Sequence, residues 1–219
     1  MIIKKLVMQK TICTILFFVA VSVSLAFSQV IETVTLPEPQ KSGGMPLMEA
    51  LNLRQSLREY TNQELDIQTI SNLLWAAFGV NRADGKRTAP TARDWREFDI
   101  YVVTAGGWYI YDAEDHVLLK KSSDDKREFA GRQDFVHTAP LTLIYVADYD
   151  RMPGASDEIR DFYSATDVGF ISQNVYLFCA SEGLGTCVLG QVDREKMREV
   201  FRLRPRQKVI LSQTMGYPE

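Results

Sequence analysis

The segment Arg54-Gln55-Ser56-Leu57-Arg58-Glu59-Tyr60 sets two guanidiniums four residues apart with a hydroxyl midway between them. Arginine presents a planar fork of donors that matches phosphate oxygens two at a time, and serine adds one neutral donor. The set suits a phosphate monoester. In an extended segment alternate side chains point the same way, so Arg54, Ser56 and Arg58 converge if the chain leaves a helix near Arg54. Taken alone, the same residues also describe a solvated basic turn. Further along, Gly183-Leu184-Gly185-Thr186-Cys187-Val188-Leu189-Gly190-Gln191-Val192-Asp193 is rich in glycine. A loop so free of Cβ atoms can come close to a ligand and expose amide N–H groups to it. Acid–base machinery is sparse: the histidines are His116 and His137, and no His/Cys/Asp cluster has metal-ligand spacing. There is no Gly-x-Ser-x-Gly elbow, no P-loop and no Gly-x-Gly-x-x-Gly after a strand. No catalytic side chain and no metal ligand is assigned. A phosphate clamp beside glycine amides, with so little acid–base chemistry, points to a bound cofactor as the reactive group.

The elements that must position these residues follow from periodicity. Leu47, Met48, Leu51 and Leu53 recur at helical spacing, which predicts a helix over Pro46–Leu53 that delivers the chain into the clamp. Asp66 caps a second helix, Ile67–Phe78, with Ile70, Leu73, Leu74 and Ala77 as its apolar stripe and Gly79 as its stop. Asn81–Arg96 reads as a polar loop, and Phe98–Thr104 as a strand. Trp108–Tyr111 and Val117–Lys120 form a hairpin pair, Asp124–Ala130 a short helix and Gly131–Pro140 connecting chain. Leu141–Ala147 is a continuous apolar run, the pattern of a central buried strand. From Phe162 to Ala180 nearly every helical face is apolar or small, so this helix belongs in the core or in a subunit interface; Asp167 argues against a membrane span. Asp193 caps a helix over Arg194–Phe201, and Lys208–Met215 is the last strand.

Residues 1–28 stand apart. Lys4, Lys5 and Lys10 precede an apolar run, Thr11–Ala26, and Ala26-Phe27-Ser28 supplies small residues for cleavage. This reads as a secretory signal, so the mature chain is expected to start near Gln29, outside a bacterial inner membrane and without stable membrane insertion. The expected organisation is signal 1–28, lead-in 29–45 and one domain over 46–219. Removing the signal takes three lysines and no acid, leaving 22 basic against 28 acidic residues. That balance argues against nucleic acid and makes the basic clamp a local feature. Cys179 and Cys187 lie in apolar surroundings and read as free, buried thiols rather than a disulfide scaffold.

Arg-x-Ser-x-Arg after the first helix, Arg87-Thr88-Ala89-Pro90-Thr91-Ala92 before a strand, Asp167-x-Gly169 with Gln173-Asn174, Gly183-Leu184-Gly185-Thr186-Cys187 and Gly216-Tyr217-Pro218 occur in that order. In this succession the chain resembles the nitroreductase-like flavin oxidoreductases over about Pro46 to Pro218, and within them the branch of the azoline dehydrogenases. The resemblance implies an α+β fold with a mixed, mostly antiparallel sheet flanked by helices, and an interlocked homodimer with FMN at two interfacial sites. Arg54, Ser56 and Arg58 would hold the FMN phosphate. Pro90, Thr91 and Ala92 would line the ring or ribityl side, Gln133 would add a polar contact, and Leu189, Gly190 and Gln191 would turn amides toward flavin N5 and O4. The implied activity is hydride exchange at N5 with a small-molecule substrate; the alternative is an exported flavin-binding or scavenging protein without turnover. NAD(P)H is the family's usual donor, although an exported enzyme would need another. The resemblance also implies a basic residue shortly after Gly-Tyr-Pro, where this sequence has Glu219, so Arg82 or Arg87 is the expected substitute, or FMN is held less tightly.

Overall fold

The computed structural model describes residues 32–219; the expected signal segment lies outside them. Seven strands, β1 (Thr33–Thr35), β2 (Phe98–Thr104), β3 (Gly107–Asp112), β4 (Val117–Ser122), β5 (Leu141–Asp148), β6 (Gly185–Leu189) and β7 (Gln207–Gly216), form one sheet in the order β1-β4-β3-β2-β5-β7-β6. Every pairing is antiparallel, in keeping with the mostly antiparallel sheet expected and with no parallel pair among the described strands. The reason lies in one insertion. β5 and β6 run in the same direction and are joined through a long helix, the connection a parallel pair requires, but β7 threads between them and pairs antiparallel with both.

Five helices flank the sheet: α1 (Leu47–Leu53), α2 (Ile67–Phe78), α3 (Asp134–Thr138), α4 (Asp157–Ser181) and α5 (Arg194–Val200). Asp66 accepts the Thr69 N–H at 2.9 Å and Asp193 the Lys196 N–H at 3.0 Å, so both expected N-caps are in place. β2 and β5 alternate between two cores, as the pleat demands. Ile100, Val102, Leu143 and Tyr145 pack with Leu73, Leu74 and Ala77 of α2 and Val168, Ile171 and Val175 of α4. Tyr101, Val103, Ile144 and Val146 face the other way, against Val136, Met197 and Phe201. All of β5 is buried, as its uninterrupted apolar run predicts.

Four expectations are corrected. The lead-in contributes the edge strand β1, and then Pro37 O accepts from Ser71 Oγ at 2.6 Å and Glu38 O from Gln68 Nε2 at 3.1 Å, strapping it across α2. Asp124–Ala130 yields only a 3-10 turn, Arg127–Phe129, because the Asp125 carboxylate takes the Arg127 N–H at 3.0 Å and diverts the backbone from an α-helix. A helix forms instead inside the expected connection, as α3, and ends before Pro140. Finally, the glycine-rich stretch contains β6. Gly185 is needed there for packing, since a Cβ would lie 3.1 Å from both Leu57 Cβ and Tyr60 Cε1.

α4 is buried along one side only. Asp167, Val168, Ile171, Ser172, Val175 and Cys179 are buried, whereas Phe162 is 62% and Phe170 46% exposed. Among the described residues no helix is long and apolar enough to cross a membrane. Cys179 and Cys187 are free and buried.

Candidate functional site

The clamp is built by the end of α1 and organised by one tyrosine. Arg54 leaves the helix with an extended backbone (φ −55°, ψ 120°), so alternate side chains then share a side. Leu57 N–H donates to Thr186 O at 3.0 Å and Thr61 N–H to Tyr217 O at 2.9 Å, which lays the segment along the outer edge of β6 and the end of β7. Ser56 Oγ lies 2.8 Å from the Tyr176 hydroxyl, and the Arg54 guanidinium stands 5.2 Å over the Tyr176 ring. Val188 N–H donates to the same hydroxyl at 3.0 Å. With that lone pair taken, a Tyr176 O–H directed at Ser56 Oγ leaves the serine proton free to donate outward.

Neither the Arg54 nor the Arg58 guanidinium makes a hydrogen bond or ion pair among the described residues, Arg54 donating only its backbone N–H to Ala50 O at 2.9 Å. By contrast Arg87, Arg96, Arg127, Arg151 and Arg160 each hold a carboxylate. Two guanidiniums kept clear of acids next to an oriented hydroxyl are the complement of a dianion. Arg58 also lies close enough to Cys187 to oppose, by its charge, the upward push that burial gives that thiol's pKa.

β6 brings its amides to this place. Strand alternation turns the Val188 N–H away from β7, and β6 ends at Leu189, directly before Gly190. Gly190 is exposed, and the only atom near a Cβ built there is Leu211 Cδ2 at 3.8 Å, so the backbone is open to close approach. Gln133, the N-cap residue of α3, joins this neighbourhood through packing. Gly131, two residues before it, abuts Leu189 and Val136, and Phe135 meets Tyr60 at 6.4 Å between ring centroids. Gln133 Oε1 is buried without a partner. Arg54 and Ser56 thus meet on Tyr176 beside β6, with Arg58 near Cys187 of that strand; Leu189 ends the strand, Gly190 and Gln191 follow it, and Gln133 lies two residues from the Gly131 that abuts Leu189.

Pro90, Thr91 and Ala92 do not share it. Ala92 N–H donates to Asp167 Oδ2 at 2.7 Å, and Thr91 Oγ1 accepts from Arg96 N–H at 3.0 Å. Asp167 and Tyr176 are nine residues apart on α4, about 13 Å along its axis. Each chain therefore carries two separate sets of site residues hung on one helix. Arg87 does not reach the clamp either: its guanidinium binds Glu114 at 2.7 Å in the β3–β4 turn and stacks over Phe78, toward the sheet edge remote from β6. Arg82 donates to Asn81 Oδ1 and Arg87 O.

Sequence reading missed Tyr176, which was counted within an apolar helix. The signal available was its hydroxyl, since a phenol inside an otherwise apolar helix needs a polar partner. It also missed Glu97, a glutamate with no exposed surface directly before β2.

Comparison with known proteins agrees with this architecture. The model of the nitroreductase family matches residues 51–217. A protein of Methanocaldococcus jannaschii described as a nitroreductase is 30% identical over 181 residues, covering 78% of this chain and 90% of the relative. The NADPH-flavin oxidoreductase of Vibrio harveyi is 26% identical over 114 residues, 47% of this chain and 48% of that protein. The crystal structure of a Ralstonia eutropha JMP134 protein, also described as a nitroreductase, superposes with a TM-score of 0.82 at 44% identity, covering 85% of this chain and 90% of the other. The chain belongs to the nitroreductase family of oxidoreductases.

Proposed function

We propose that the protein is an FMN-dependent oxidoreductase working by alternate reduction and reoxidation of its flavin on a small-molecule substrate. One observation carries the reading: two guanidiniums without acid partners stand on either side of Ser56, whose hydroxyl meets the Tyr176 hydroxyl that also takes the Val188 N–H of β6. The residues fit FMN. Arg54, Ser56 and Arg58 supply donors for a terminal phosphate, and the orphaned Gln133 Oε1 supplies an acceptor for a ring or ribityl N–H or O–H. Gly190 and its neighbours present amides that stabilise negative charge on the ring. FMN, when bound, accepts a hydride at N5 from a reduced donor and passes it to an oxidised acceptor. The chain's own part is to hold the phosphate, orient the ring and place N–H dipoles where charge develops.

The separation of Pro90–Ala92 from the clamp supports a homodimer in which each flavin is enclosed by the clamp of one subunit and the Pro90–Ala92 turn of the other. Pro90 is exposed, and the uncovered apolar residues Ile159, Phe162 and Phe170 lie on the same helix that holds both sets. Export by residues 1–28 and kinship with the azoline-dehydrogenase branch belong to the same reading, and export favours a donor other than NAD(P)H.

The direct test is anaerobic reduction of the purified protein by NADPH, NADH and a reduced quinone in turn, followed by a nitroaromatic or quinone acceptor. Bleaching of the flavin by one donor and parallel double-reciprocal plots are expected. Tight FMN retention with slow reduction by every donor would instead assign a flavin-binding protein without turnover. Tyr176→Phe, which removes the hydroxyl shared by Ser56 and Val188, is expected to weaken FMN binding by about tenfold in a fluorescence titration, with the fold intact.

A further inference from the structure

The two peptide units between Ser56 and Arg58 are each held by a hydrogen bond. Leu57 N–H, in the first, donates to Thr186 O at 3.0 Å, and Leu57 O, in the second, accepts from the Tyr60 hydroxyl at 2.6 Å. Peptide units are planar, so the chain can turn between them only at φ and ψ of Leu57. Holding both planes therefore fixes Leu57, and with it the directions in which Ser56 and Arg58 leave the backbone. The Leu57 side chain rests on Gly185, where an added Cβ would come within 3.1 Å of it.

Tyr60 is itself seated and oriented. A Cβ on Gly185 would stand 3.1 Å from Tyr60 Cε1, and one on Gly216 would stand 3.1 Å from Tyr60 Cβ. The closing Gly216-Tyr217-Pro218 thereby gains a task. Gly216 leaves room for Tyr60, Tyr217 O takes the Thr61 N–H at 2.9 Å, and Pro218 is the bridge partner of Tyr60. A phenol has one proton, and here a carbonyl takes it. The 2.9 Å contact between Tyr60 Oη and Thr214 Oγ1 must then run from the threonine to the phenol. Thr214 belongs to β7, and its own carbonyl accepts from Thr186 Oγ1 at 2.7 Å. Thr186 Oγ1 accepts in turn from Gln213 Nε2 at 3.0 Å, and Gln213 Oε1 from the Tyr145 hydroxyl at 2.6 Å. Tyr145, Gln213, Thr186 and Thr214 are all buried. A buried polar set with its donors and acceptors matched is rigid. This one runs from the central strand β5 to the carbonyl that precedes Arg58.

We propose that Tyr60 is a positioning residue for the clamp: its hydroxyl, held by Thr214, fixes the Leu57 carbonyl so that Ser56 and Arg58 are set for a phosphate before one arrives. The proposal rests on the FMN reading for the identity of that phosphate. Ordering the clamp is then done by folding rather than by the ligand, which raises affinity for the group it is shaped to hold. Because Tyr60 acts through Ser56 and Arg58, its hydroxyl matters for FMN and not for riboflavin, which has the same ring and ribityl chain but no phosphate.

The test titrates the full-length protein, freed of flavin, with FMN and with riboflavin by fluorescence quenching. Tyr60→Phe is expected to lose about tenfold in FMN affinity and less than about twofold in riboflavin affinity. Thr214→Val keeps the side-chain shape without the donor and is expected to lose about threefold for FMN. Thr214→Ser keeps the donor and is expected to stay within about twofold of wild type. Hydrogen exchange reads the segment without any flavin. In Tyr60→Phe the Leu57 amide is expected to exchange at least about tenfold faster while the β5 amides keep their rates. Unchanged Leu57 exchange would overturn the proposal. Faster exchange with equal losses for FMN and riboflavin would overturn its link to the phosphate. Faster exchange in a protein whose wild type binds both flavins equally, or neither, would leave the positioned segment standing and refute the FMN reading. If Tyr60→Phe does not fold, the same readings on Thr214→Val against Thr214→Ser decide.

Discussion

Replacing Arg54 and Arg58 together by alanine is expected to weaken FMN binding by about a hundredfold to ten-thousandfold, so that the purified double variant is colourless. Each guanidinium is positioned for charge-assisted hydrogen bonds to phosphate, worth roughly 1.5–3 kcal/mol apiece, and every tenfold in affinity takes about 1.4 kcal/mol. The fold is expected to survive. Arg58 is exposed and unpartnered, and Arg54 contributes chiefly its stacking on Tyr176, roughly 0.5–1 kcal/mol. Flavin content and the unfolding midpoint are read on the same preparation. Unchanged flavin content would remove the clamp assignment; a collapsed midpoint would mean the arginines are structural.

The second large effect concerns the exposed stripe of α4. Phe162→Asp combined with Phe170→Asp is expected to give folded monomers that have lost most of their FMN. Both rings are exposed in the single chain, so charge there costs the protomer little, yet an interface would have to desolvate two carboxylates. Flavin would be lost because, in the proposed dimer, the Asp167-held turn of one subunit and the Tyr176-held clamp of the other enclose it together. Light scattering and flavin content measure the outcome. A dimeric, fully loaded variant would refute the shared site. Val175 makes a different point. It has no exposed surface and sits among Leu73, Val168 and Ile171 in the protomer's own core, so a charge there is expected to unfold the chain, by more than about 4 kcal/mol, rather than report on dimerisation.

Much of the molecule was legible in the sequence. β5, α2 and α5 were readable because each is specified locally, by a continuous apolar run or by an aspartate cap that takes the expected N–H. The direction of the clamp was readable too, since alternate residues of an extended segment must share a side, and Arg54 and Ser56 do meet on Tyr176. β6 was not, because its glycines look like a loop until Leu57 and Tyr60 are packed against Gly185. The threading of β7 between β5 and β6 is a long-range choice with no local signature, and it leaves the described strands without a parallel pair. Asp125 decided against an α-helix through a single side-chain contact.

The most direct measurement is the visible absorption spectrum of the purified protein, with identification of whatever cofactor is released on denaturation. Two flavin bands and FMN in the supernatant, one per chain, are expected. A colourless protein that stays colourless after incubation with excess FMN would contradict it, and would mean that the fold has been kept without the cofactor it is shaped to hold.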